Sequence, residues 1–134
     1  MIRTYLDSGV LIAAFRGVDS ASFKAISILD SNEREFCSSC FVKLEILSKA
    51  KYHKQQDEVN FYESLFANCN VWANDLDQIV KLAQECASKY GLNALDALQI
   101  ASAISINADE FVTTEKTTKP LHRVTEIKVI SIAN

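Results

Sequence analysis

The sequence has little punctuation: three glycines and one proline in 134 residues. So few breakers exclude a turn-rich β-sandwich or small barrel and favour helices joined by short connections. A basic excess is missing as well. Lys and Arg number 14 against 17 Asp and Glu, a formal charge of −3, so the surplus that drives passive binding to nucleic acid is absent. A polyanion would need a local site with a cation between itself and the protein. Long apolar runs are lacking too. Val10–Phe15, the most apolar stretch near the start, is six residues preceded by an acid. That is short of a secretory signal, and of the roughly 20 residues that span a bilayer. The expectation is a cytoplasmic protein with no membrane segment. Zinc spacing is also missing. Cys37 and Cys40 form a C-x-x-C, but Cys69 and Cys86 stand alone, and neither His53 nor His122 is spaced as a ligand. The cysteines are expected to be reduced and buried as small hydrophobes.

What remains is an ordinary globular composition, 49% hydrophobic and 23% charged, expected to form a single domain over residues 1–134. Strand-like runs at 2–6, 35–39, 70–73, 111–113 and 127–132 alternate with helical spacing at 10–15, 20–29, 41–51, 59–67, 75–90 and 94–106. In the helix over 41–51, Phe41, Leu44 and Leu47 recur in register as its apolar face. Gly91 is positioned to stop the helix over 75–90. The polar run 51–58 reads as a solvated turn. This alternation implies an α/β fold, a central, mostly parallel sheet flanked by helices in three layers. In such sheets ligands bind beyond the carboxyl ends of the strands, where helix N-termini also gather.

Four acids fall at that edge. Asp7 follows the first strand, Glu45 lies early in the helix after the second, Asp96 opens the apolar helix, and Glu115 follows the strand at 111–113. Clustered like charges repel unless something neutralises them, and Mg²⁺ or Mn²⁺ takes such oxygen ligands together with water and phosphate. Each acid also has a purely structural reading. Asp7 can hold an Asx-turn, Glu45 can pair with Lys49, and Glu115 can sit in a solvated loop. Asp96 can be an N-cap with Gln99 three residues on, or the N3 acid of a box capped by Asn93. Asp109 precedes its strand and belongs at the opposite edge.

The residues carry a family resemblance. Tyr5-Leu6-Asp7-Ser8-Gly9-Val10-Leu11-Ile12 resembles the opening of PIN-domain nucleases. Val42-Lys43-Leu44-Glu45-Ile46-Leu47 is similar to the second acidic block of that family, and Leu95-Asp96-Ala97-Leu98-Gln99-Ile100-Ala101-Ser102-Ala103 to the third. Ala108-Asp109-Glu110-Phe111-Val112-Thr113-Thr114-Glu115 is similar to the fourth, which usually ends in aspartate and here ends in Glu115. By length the chain looks most like VapC-type toxins of toxin–antitoxin pairs. The resemblance implies a PIN-like sandwich and a Mg²⁺- or Mn²⁺-dependent endoribonuclease. Asp7 and Asp96 would be principal metal ligands and Glu115 a weaker one. Glu45 would orient or deprotonate the attacking water, and Ser8 and Thr113 would offer hydroxyls. It also implies an RNA substrate, a cognate antitoxin and a homodimer.

Lys43, Lys116, Lys119 and Arg123 are candidates to grip flanking phosphates. For the dimer, the sequence offers the helix carrying Phe61, Tyr62, Leu65 and Phe66. Rival readings fit less well. A phosphotransfer receiver domain wants an acidic pair at the first strand, and a haloacid-dehalogenase-type phosphatase wants a second aspartate where Gly9 stands. A non-catalytic PIN-like binding module, or a housekeeping RNA-processing nuclease, remains the alternative.

Overall fold

The computed structural model describes residues 1–134. Five strands, β1 (Ile2–Leu6), β2 (Arg34–Ser39), β3 (Val71–Ala73), β4 (Glu110–Thr113) and β5 (Lys128–Ser131), form one sheet in the order β3-β2-β1-β4-β5. Every neighbouring pair is parallel. Thr4, Tyr5 and Leu6 of β1 and all four residues of β4 are buried in succession. Consecutive burial means that both faces of the sheet are covered, as parallel sheets require. Tyr5 stacks on Phe111 of the next strand, with ring centroids 5.3 Å apart.

Six helices supply the cover: α1 (Ser8–Arg16), α2 (Ser20–Leu29), α3 over 40–52, α4 (Gln56–Ala67), α5 (Leu76–Tyr90) and α6 (Ala94–Ser105). α1 packs on α2 and α4, and α5 packs on α6. Caps fix the ends. Asp19 and Asp75 accept backbone N–H groups at the starts of α2 and α5. Gly91 ends α5 at φ +72°, a left-handed conformation that glycine adopts without a Cβ clash. A short 3₁₀ turn, Pro120–Arg123, has no counterpart among the elements expected from the sequence. Four residues are too few to show a period. No helix is long and apolar enough to cross a membrane.

The observed elements follow the expected ones closely, and the clearest departure is in α3. Phe41, Leu44 and Leu47 do not form the buried face of α3. Its middle, Lys43–Leu47, is a π turn, in which the Ser48 N–H reaches back to Lys43 O. That widening moves the buried stripe to Val42, Ile46 and Ala50, each four residues on, and leaves Leu44 70% exposed. The aromatic surface expected on α4 is also corrected. Tyr62 and Phe66 are buried, and Phe61 lies against Phe15 with ring centroids 5.6 Å apart. Among the cysteines, all free, Cys37 and Cys86 are buried as expected but Cys40 is exposed.

Candidate active site

β1 and β4 lie side by side at the centre of the sheet, and their carboxyl ends bring Asp7 next to Thr113. Asp7 caps α1: its Oδ1 accepts the Ser8 N–H at 2.7 Å, and its Oδ2 accepts the Thr113 hydroxyl at 2.8 Å. Thr113 Oγ1 in turn accepts the Glu115 N–H at 3.1 Å. The Glu115 carbonyl accepts from Ser131 Oγ at 2.7 Å and lies 2.9 Å from His122 Nε2. The backbone that carries Glu115 is therefore tied down on both sides. Gly9 is needed here for space, because a Cβ at that position would collide with Thr114 Oγ1.

Asp96 stands in the first turn of α6. Asn93 caps that helix by accepting the Asp96 N–H at 2.9 Å, and Asn93 Nδ2 returns a contact to Asp96 Oδ2 at 3.1 Å. Capping does not exclude a second role, since the helix N-terminus favours a carboxylate. Glu45 sits in the π turn of α3. It makes no ion pair with Lys49. Its nearest polar partner is Gln99, whose Nε2 lies 3.5 Å from Glu45 Oε1 and 3.2 Å from Ser8 Oγ. Asp109 is at the opposite edge as expected, accepting the Arg3 N–H at 2.7 Å.

Asp7, Ser8, Glu45, Asp96 and Glu115 all line one cavity of about 680 Å³. Thr113 is fully buried beneath Asp7. The electrostatics follow from this crowding. Burial, above all, and the nearby charges of Asp96 and Glu45 push Asp7 up to about 6, against the Thr113 and Ser8 hydrogen bonds that favour its anion. Asp96 is also raised, first by burial, then by Glu115 and by Glu45. Asp96 thus stands between the Asp7 side of the cluster and Glu115. A second cavity of about 290 Å³ shares Asp96 and Glu115 but neither Asp7 nor Glu45.

The donor set fits a hard divalent cation: carboxylate oxygens from separate elements, crowded enough to resist full ionisation. No three acidic, histidine or cysteine side chains close around a single point. Such a site suits an ion held by one or two carboxylates, with water and phosphate completing the shell, which is the habit of Mg²⁺.

Of the cations the sequence suggested, only Lys119 lines a cavity that shares acids with the site. Lys43 Nζ lies over the Trp72 ring, 4.7 Å from its centroid, and 5.5 Å from that of Phe66. Arg123 donates to Tyr90 O at 3.1 Å, closing the end of α5. Lys119 lines the second cavity, and Lys116 lines neither. Arg16, Lys49 and His53 instead line the main cavity. Arg16 ends the helix that Asp7 begins. That is the one local signal for it, since a helix starting at the sheet edge carries its last turn away along the cavity wall.

A family model described as a PIN domain matches residues 4–124. No curated protein matches the sequence. In three dimensions the chain is similar to one in the crystal structure of VapBC2 from Rickettsia felis bound to a DNA fragment from their promoter. The TM-score is 0.70 and the identity 16%, over 96% of this chain and 97% of that one. It is similar to a chain of a toxin–antitoxin complex from Klebsiella pneumoniae, at TM-score 0.70 and 18% identity, over 96% and 97%. For VapBC-1 from nontypeable Haemophilus influenzae the TM-score is 0.70 and the identity 19%, over 98% of each chain. At these identities the likeness is one of fold.

Proposed function

Because the chain belongs to the PIN domain family, matched over residues 4–124, we propose that it is a Mg²⁺- or Mn²⁺-dependent endoribonuclease, the toxin of a toxin–antitoxin pair. The observation that carries this reading is the meeting of Asp7, Glu45, Asp96 and Glu115 in one cavity, from four separate parts of the sequence. The toxin–antitoxin complexes whose chains share the fold support the toxin role.

Asp7 and Asp96 would hold the ion, and Glu115 would assist from the Asp96 side. A bound divalent ion supplies Lewis acidity to the phosphate and makes water a nucleophile near neutral pH. Glu45 orients the attacking water and receives its proton. The Thr113 hydroxyl fixes the direction of the Asp7 carboxylate. Arg16 and Lys49 meet phosphates of the RNA on the cavity wall. They also explain how a chain of formal charge −3 can hold a polyanion, by a few local contacts rather than a general field.

The partners follow from the same reading. Phe15, Val18, Phe23 and Ile26 leave apolar surface exposed on α1, α2 and the turn between them, suited to a second copy or to an antitoxin. The four free thiols are compatible with the reducing cytoplasm. The test is cleavage of total RNA by the purified protein in chelator, Mg²⁺ and Mn²⁺, with and without the product of a small adjacent gene. Cleavage that needs the metal and is silenced by the neighbour supports both halves of the proposal. Metal-bound protein that leaves RNA intact means a non-catalytic binding module.

A further inference from the structure

We propose that Gln99 is a positioning residue that holds the Glu45 carboxylate and the Ser8 hydroxyl in working orientation. The inference rests on the nuclease reading and adds to it a residue that touches neither metal nor RNA.

Gln99 lies one turn beyond Asp96 on α6 and is 2% exposed. It is the only buried carboxamide in the molecule. Its Nε2 points to Ser8 Oγ at 3.2 Å and to Glu45 Oε1 at 3.5 Å. Its Oε1 has no hydrogen-bond partner. A buried amide kept for packing would satisfy both ends or be replaced by an apolar side chain. Here one end is left unsatisfied and the other serves two site residues from different elements. Chemistry fixes which end faces them. A carboxylate accepts only, so turning the amide round would set oxygen against oxygen.

Two consequences follow. Glu45 sits in a π turn, where neighbouring side chains lack the usual stacking on one helix face, so an external donor sets its direction. Ser8 Oγ accepts from Gln99, which frees its single proton to be donated elsewhere, into the cavity that Ser8 lines. The 3.5 Å contact is long, as hydrogen bonds in an empty active site often are before substrate binds.

The experiment compares wild type, Gln99→Met, Glu45→Gln and the double variant by melting, by Mn²⁺ binding without RNA and by steady-state cleavage. Gln99→Met is expected to melt at or above wild type, because an unsatisfied buried carbonyl is removed. It should keep Mn²⁺ affinity within about threefold and lose roughly 10–100-fold in kcat at little change in KM, as for other residues that orient ligands. The double variant should lose clearly less than the product of the two single losses, since Gln99 acts in part through Glu45. Unchanged kcat in Gln99→Met, additive losses, or a joint fall in melting temperature and Mn²⁺ affinity would each overturn the proposal. Wild type that never cleaves RNA with metal overturns the nuclease reading itself, a result distinct from any of these.

Discussion

The Thr113 hydroxyl donates to Asp7 Oδ2 at 2.8 Å across two adjacent parallel strands, yet burial and neighbouring acids still hold Asp7 up to about 6. A carboxylate raised from its ordinary 3.8 binds its proton more tightly in the folded chain than in the unfolded one. Stability from this group is therefore greatest below pH 4 and is lost as pH rises towards 6. The gap is worth about 3 kcal/mol at neutral pH. Asp7→Asn is expected to abolish cleavage while raising metal-free stability at pH 7, and to flatten the loss of stability between pH 4 and 6. Urea unfolding in chelator across that range checks both. A large loss of stability at pH 7 would mean that Asp7 serves only as the cap of α1.

Asp96 and Glu115 should separate in strength. Asp96 neighbours both Glu45 and Glu115, whereas Glu115 shares a second cavity with it away from Asp7. Asp96→Asn should be inactive at any Mn²⁺ concentration. Glu115→Gln should lose roughly 10–100-fold, as expected for a residue that acts through an outer-shell water, with part of the loss recovered at high Mn²⁺. Equal inactivity at saturating metal would make Glu115 a direct ligand.

Cleavage products should carry 5′-phosphate and 3′-hydroxyl ends, as attack by metal-activated water with the 3′-oxygen leaving gives. His53 lines the cavity and is the residue able to support the metal-free route through the ribose 2′-hydroxyl. General acid–base catalysis contributes about 10²–10⁴-fold, so His53→Ala should lose much less than that. End-labelling of the fragments decides the matter. Cyclic phosphate ends that vanish in His53→Ala would replace the metal mechanism.

Arg16→Gln and Lys49→Gln should each raise KM and lower the salt dependence of RNA binding, by a slope of about 1 for each phosphate that is no longer gripped. Lys43→Gln should leave RNA binding unchanged, because Lys43 is spent on the Trp72 ring. Binding titrations between low and moderate salt distinguish the two groups.

Gly9→Ala should push Thr114 aside and with it the loop that ends in Glu115. Thr114 is a short side chain attached directly to that loop, so the displacement reaches the backbone. Lower stability together with a loss of cleavage is expected, and Thr114→Ala in the same chain, which removes the clashing hydroxyl, should restore part of both.

The sequence carried much of this site, and the reason is local. Asp7 and Asp96 each sit at a strand-to-helix or loop-to-helix junction, where polar residues interrupt apolar runs and fix the position to within a residue. Glu45 was legible as an acid beside a buried face, but the face itself was assigned wrongly. A 3.6-residue period cannot foresee the π turn at Lys43–Leu47, which sets the buried residues four apart. Arg16, Lys49 and His53 were passed over for a similar reason. Each is an ordinary surface residue in its own helix or turn and becomes a wall of the cavity only when α1 and α3 meet. Gln99 looked like a capping partner, since nothing in the apolar pattern of α6 tells which of its faces meets Ser8.

β1 finds one neighbour, β2, about 30 residues downstream, and the other, β4, only after more than 100, with Thr4 opposite Glu110. Asp7 is therefore synthesised more than 100 residues ahead of its partners Thr113 and Glu115 and must wait for both. At ordinary translation speeds the interval is roughly 5–20 s. Through that time the ribosome carries only part of the candidate site. On the nuclease proposal, RNA beside the growing chain is not cleaved until Thr113 and Glu115 have been made. On the same proposal, an antitoxin has that interval in which to be ready for the finished fold.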